Sequence, residues 1–399
     1  MTRTESMETM RPKDIFLYLI GNRGAIQRIA ATPWAWIVGA VLVISAGLAR
    51  NYDHLDLMRQ PEWLIGPFAA SIFSTLFIFA WVTLGIKLGK KKGTSRNLLT
   101  FLNLVWLTAP CAWIYGIPVE LYTDILTATK WNIAFLAIVS LWRVALVIRA
   151  VTILTEAPWP RVSLFIIAPA ALEMMVGSFY KGLSLVGIMG GVRLPPHDEL
   201  LRQASAFTSA ASFWVFIASL LAIFFIKGAA KKPLHRHSSG FPKSSLILAA
   251  ATVVIWAAMA IPFQPAIKNR HHLTQLIRQK DYEAAIAFAS SKRREDFPAI
   301  HYLAPDPTVY IYTYPLEPLE MLPPEAPAWL REEWTHNAIE AHKFFYTINP
   351  DRVAHLRENH PEVFAALLEY QATLESKPDL TRDESLWLSR FQETHPQER

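Results

Sequence analysis

The chain has 399 residues, 52% of them hydrophobic, with a single cysteine and a formal net charge of +6. Apolar residues gather before Lys268 in runs near the ~20 residues that a helix needs to cross ~30 Å of hydrocarbon, which excludes a wholly soluble protein. The basic residues sit between those runs, at Lys87, Lys90, Lys91, Lys92 and Arg96 and at Lys227, Lys231, Lys232, Arg236 and Lys243, so they read as topology signals and not as a nucleic-acid surface.

The N-terminus is polar through Asp14, and no A-x-A cleavage site follows the first long apolar run, so that run is expected to stay as an anchor. Between Ile15 and Ile29, apolar residues alternate with Lys13, Arg23 and Arg28 and are interrupted by Gly21 and Gly24; the pattern predicts a basic, broken amphipathic helix on the membrane surface. Seven spans are then expected, at 34–49, 64–86, 98–119, 132–154, 162–185, 206–226 and 246–263. Pro110 and Pro118 interrupt the third, where Cys111 serves as a small packing residue; the fifth carries Pro169, Glu173 and Lys181. With a cytoplasmic N-terminus, the basic loops fall inside and Asp53, Asp56, Glu62, Glu120, Asp124, Asp198 and Glu199 outside. An odd number of spans puts the C-terminal region outside, in the periplasm of a bacterium with an inner membrane.

After Phe263, charge and proline take over. His272 to Arg294 predicts one helix; its Leu276-Ile277, Asp281-Tyr282 and Phe288-Ala289 pattern resembles the second half of one tetratricopeptide unit, present once where a solenoid needs about three. Residues 298–327 are proline-rich, with a strand expected at 308–314. Helices are expected from Ala328, from Asn349-Pro350, where His360-Pro361 splits the run in two, and from Thr381 with Glu384 as its capping-box partner. The fold class is therefore all-α: a polytopic transmembrane bundle at 31–263, preceded by an interfacial segment at 1–30 and followed by a mainly helical soluble domain at 264–399.

Ionisable groups inside the spans are the first candidates for function. Arg143 lies eleven residues from the outer start of the fourth span and Glu173 eleven from the inner start of the fifth, each about 16 Å deep, so antiparallel neighbours could bring them into contact. The expected role is a buried ion pair that fixes helix register; a gated polar pathway or proton relay is the alternative. Ala170, Glu173, Gly177, Tyr180, Ser184, Gly187 and Gly191 share one helix face that is small and polar, with Lys181 beside it and Phe165, Ile166, Leu172, Met175 and Val176 left for lipid. Arg149 and Lys181 are expected to snorkel to opposite surfaces.

A second set, Asp53, His54 and Asp56 with His197, Asp198 and Glu199 and then His271 and His272, offers carboxylates and imidazoles from three outer loops. It matches no zinc or di-metal spacing, and solvated loop ends explain it. Glu333, His336 and Glu340 share a helix face, but a di-metal carboxylate site needs the Glu-x-x-His element twice, so an exposed polar face is expected. No hydrolase elbow, Walker loop, zincin helix or dinucleotide fingerprint occurs, and no metal or cofactor is expected.

The stretches Ser45-Ala-Gly-Leu-Ala-Arg-Asn-Tyr-Asp53, Trp63 to Ser71, Leu107-Thr-Ala-Pro110 with Ala112-Trp113, and Trp142-Arg143-Val-Ala-Leu resemble a group of uncharacterised bacterial multi-pass inner-membrane proteins over about the first 160 residues. That resemblance implies a membrane bundle and no particular activity. A basic surface helix before a compact bundle is also similar in architecture to Yip1-type membrane proteins, which act as trafficking or assembly factors, although those have five spans. The expectation is an integral membrane scaffold or assembly factor with the lipid bilayer, and other membrane proteins or a second copy, as partners. A transporter or channel-like pathway is the runner-up, and a membrane hydrolase using the outer acid and histidine set a third reading.

Overall fold

A computed structural model of the protein describes residues 10–49, 62–88, 94–119, 122–182, 196–235, 243–261, 264–297, 316–344, 350–378, 380 and 382–394. Every regular element among them is a helix, and the strand expected at 308–314 lies outside them. The described residues up to Gln264 form one compact unit and those from Pro265 onward a second.

The first unit contains α1 (Pro12–Leu19), α2 (Arg23–Ala30), α3 (Ala35–Leu48), α4 (Glu62–Gly85), α5 (Thr94–Trp106), α6 (Ile125–Thr155), α7 (Trp159–Gly182), α8 (Pro196–Phe225) and α9 (Lys243–Ala260). Local chemistry sets their ends. Pro12 opens α1, the Asn22 side chain accepts from Ala25 N at the start of α2, and Asp124 accepts from Thr127 N at the start of α6. After α5, Pro110 withholds an amide, and the chain continues as a 3-10 helix over Ala109–Gly116.

Five helices are long and apolar enough to cross a membrane: Phe68–Gly85, Ser95–Gly116, Leu126–Thr155, Trp159–Ser178 and Glu199–Phe225. The other two expected spans are shorter. α3 has 14 residues and α9 has 18, about 21 and 27 Å, and they pack along each other. A sixth span is reached only by joining α2 to α3 across a 113° bend. Only 6% of the residues in the Glu199–Phe225 stretch are buried, and Phe207, Trp214, Leu221, Phe224 and Phe225 point outward, a surface suited to lipid.

The largest difference from the sequence-based expectation is at the N-terminus. Within residues 12–30, Ile15, Tyr18, Ile26 and Ile29 are fully buried in the bundle core with Leu42, Phe101 and Leu104, while Phe16 and Ile20 stay exposed. The Tyr18 hydroxyl donates to Leu104 O at 2.7 Å, and Met10 N donates to Thr32 Oγ1 at 3.2 Å. Asp14 is buried too, and Arg28 reaches it with two hydrogen bonds, Nε to Oδ2 at 2.9 Å and Nη2 to Oδ1 at 2.5 Å. Burial alone would push the Asp14 carboxyl up; the bonds from Arg28 and the Arg11 amide outweigh it and hold the carboxyl below its usual range. An amphipathic pattern needs an apolar partner for one face, and here protein supplies it.

The second unit contains α10 (Gln264–Arg278), α11 (Tyr282–Ser290), α12 (Glu317–Glu320), α13 (Ala328–Phe344), α14 (Pro350–Asn359), α15 (Pro361–Glu375) and α16 (Arg382–Thr394). Its core joins Leu273, Leu316, Leu330, Trp334, Leu367 and Phe391. The single helix expected over 272–294 is two, because Lys280 adopts φ 58° and Asp281 caps the next helix by accepting from Ala284 N. The breaks at Pro350 and Pro361 stand where the X-Pro pairs put them.

Candidate functional site

The intramembrane charges divide between two places. Arg143, half-buried on α6, turns toward the 3-10 segment, where its Nε donates to Thr108 Oγ1 at 2.9 Å; Thr108 in turn donates to Val105 O at 2.6 Å. Cys111, Tyr115 and Tyr18 complete its electrostatic surroundings. Glu173 on α7 turns toward α4, where Ser74 Oγ donates to Glu173 Oε2 at 2.6 Å; Oε1 is buried with no hydrogen-bond partner.

Arg143 and Glu173 thus do not form the expected pair. α6 directs Arg143 at Thr108 and the 3-10 segment that follows it, while α7 packs its Glu173 face on α4, so the two side chains point into different interfaces. The small face of α7 also differs from expectation. Gly177 is exposed, with no atom within 4 Å of where a Cβ would stand, whereas Phe165 and Ile166, expected in lipid, are buried. The reason is the wrapped first half of α7: Phe165 lies over Gly85, where a Cβ would come within 2.0 Å of its ring.

Of the remaining predicted residues, Tyr180 and Lys181 lie in α7 but their side chains are outside the described set, and Ser184, Asp53, His54 and Asp56 lie wholly outside it. His197, Asp198 and Glu199 fall in the first turn of α8, where the Glu199 carboxylate accepts from Arg202 Nε at 2.7 Å and Nη2 at 2.6 Å and from Gln203 at 2.8 Å. Glu199 is therefore held within its own helix. His336 stays at the surface beside Arg331, Glu332 and Thr335, and the Glu340 side chain is outside the described set. Glu333, expected to be exposed, is 8% exposed. It accepts from Arg270 through both oxygens and from Arg294, a charge triad within the second unit of which Arg270 and Glu333 are buried.

Arg149 was expected to snorkel; its Nε donates to Gly21 O at 2.6 Å and ties α6 to the turn between α1 and α2. That turn requires glycine, since Gly21 has φ +72° and a Cβ there would lie 2.7 Å from Arg149 Cδ. Arg161 bonds three backbone carbonyls: Gly85 at 3.2 Å, Ile223 at 2.8 Å and Ile226, with its guanidinium 4.6 Å from the Phe165 ring centroid. These include carbonyls at the C-terminal end of α8, where a cation is favoured. Nearby, Asn97 Oδ1 accepts from Leu234 N at 3.0 Å and His235 N at 3.2 Å. Asn97, Thr100 and Asn103 are all buried at three-residue steps on α5, a polar stripe in an apolar helix that the sequence displays.

No family model, no curated protein and no solved structure matches the chain. What the polar groups can do chemically must therefore be argued from where they stand.

Proposed function

We propose that the protein is an integral membrane scaffold or assembly factor whose helix bundle anchors the C-terminal helical unit. The observation that carries this reading is the use made of charge inside the bundle: Arg143, Arg149 and Arg161 each donate to a protein oxygen that belongs to another segment. Groups bonded in this way hold helices in register.

If the five helices that are long enough do cross, the segment before α4 and the segment after α8 lie on opposite faces. Lys227, Lys231 and Lys232 follow the end of α8 beside the α6–α7 corner, with Lys231 N and Lys232 N donating to Thr155 O, while Asp124 and Glu199 open α6 and α8 at their other ends. That asymmetry supports a cytoplasmic N-terminus and a periplasmic, soluble C-terminal unit in a bacterial inner membrane. The outward apolar face of α8 suits lipid, another membrane protein or a second copy.

A second reading, a transporter or channel-like protein, is favoured by one observation, the buried and unpartnered Oε1 of Glu173. Complementation in a deletion strain separates the two. On the scaffold reading, Glu173→Gln and Arg143→Gln support growth in proportion to the folded protein found in the membrane; full membrane levels with lost function would reject it in favour of transport.

A further inference from the structure

The second unit brings together three side chains that the sequence scatters over 320–360. Glu320 ends α12, His355 lies in α14, and His360 stands at the junction of α14 and α15. One ligating atom from each lies within 4.8 Å of the others. His355 Nε2 is 2.8 Å from Glu320 Oε1, and His360 Nε2 is 3.8 Å from the same oxygen. A tetrahedral zinc-class ion at ~2.0–2.1 Å from its N and O ligands sets them about 3.3 Å apart, so the observed separations lie on either side of what an ion requires and small side-chain rotations meet it.

A surface ion pair between His355 and Glu320 would account for two of the three groups but not for His360. That residue is 8% exposed, and its Nε2 is buried with no hydrogen-bond partner. It occupies the N-cap position of α15, yet its ring makes no capping bond. A buried polar atom left unpaired is destabilising, and a ligand at Nε2 removes that cost. The far sides of both rings are supported as well. Asn359 Nδ2 donates to His355 Nδ1 at 3.1 Å, and by turning its amide Asn359 would accept a proton there instead; Glu362 Oε1 is 3.9 Å from His360 Nδ1. Carboxylates and amides in those positions orient metal-bound imidazoles.

We propose that Glu320, His355 and His360 bind a divalent transition-metal ion of the zinc class. Two imidazoles and one carboxylate, without thiolate, favour zinc, cobalt, nickel or copper over magnesium or calcium. The side chains of Glu320 and His355 are 38% and 42% exposed, so one side of the ion faces solvent and a water takes the fourth position.

The test is titration of tag-free, full-length, chelator-stripped protein in detergent with Co2+ and then Zn2+. One equivalent of Co2+ develops the visible bands of a four-coordinate nitrogen and oxygen site and is displaced by Zn2+. The His355→Ala/His360→Ala variant loses that equivalent, with affinity reduced by more than about 100-fold, beyond the ~10–100-fold that an outer-shell change such as Glu362→Gln gives. Glu320→Gln, which keeps the side-chain shape, gives the same reading if the histidine variant does not fold. Absence of the bands in the wild-type protein, or an unaltered titration in these variants, overturns the proposal.

Discussion

Replacing Glu333 with glutamine should be among the most damaging single changes in the second unit. Arg270 and Glu333 are 4% and 6% exposed at their side chains, and Arg294, the third member of the triad, is 49% exposed. Glu333→Gln leaves the Arg270 guanidinium buried beside Phe297 without its carboxylate, a change that costs about 3–5 kcal/mol. For a unit of this size that corresponds to a fall of roughly 10–20 °C in its melting temperature. The double change Arg270→Met with Glu333→Leu should recover most of the loss, because both buried charges leave together and the half-exposed Arg294 turns to water. The assay is differential scanning calorimetry of the full chain in detergent, with hydrogen exchange assigning the transition to residues 265–399. A shift below about 3 °C in the single variant, or a double variant no better than the single one, would refute the reasoning.

Two further outcomes are expected. Arg161→Ala removes the bonds to Gly85, Ile223 and Ile226 and should destabilise the bundle by about 2–4 kcal/mol, with Arg161→Lys restoring only part because an ammonium cannot reproduce the planar fork; thermal denaturation of Arg161→Lys indistinguishable from wild type would contradict this. In the second unit the Tyr282 hydroxyl donates to Glu317 at 2.6 Å; that bond, with Lys280 nearby, holds the Glu317 carboxyl below its usual range, while burial and then Glu317 push the Tyr282 hydroxyl up. The Glu317 contribution is present above about pH 4.3 and lost as acid protonates the folded carboxylate; that of Tyr282 is complete below about pH 10 and lost as base ionises it. The melting-temperature gap between wild type and Tyr282→Phe should be widest between those limits and shrink on both sides, so a gap constant with pH would count against the bond.

Residue chemistry made some features legible and left others hidden. The breaks at Pro350 and Pro361 could be read directly, because proline restricts both itself and its predecessor. Long apolar runs gave the five extended helices, yet α3 and α9 are too short to be distinguished by composition alone from full spans. An amphipathic pattern does not reveal whether lipid or protein covers its apolar face, which is why the burial of Ile15, Tyr18 and Ile26 was not foreseen. Depth along a helix follows from residue count, but rotation about the axis does not, and rotation is what separates Arg143 from Glu173. The Glu320, His355 and His360 set has no local motif: the histidines are neither three nor four apart, and the acid comes from a separate helix.

The most direct test of the central claim is proton and cation flux in liposomes containing the purified protein, wild type beside Glu173→Gln, with folded content measured in the same vesicles. If intramembrane charge locks the bundle, both proteins leave flux at the level of empty liposomes, and any loss in the variant appears in its melting temperature. Flux well above empty liposomes that Glu173→Gln abolishes in a folded protein would contradict the scaffold account and assign Glu173 to a conducting pathway.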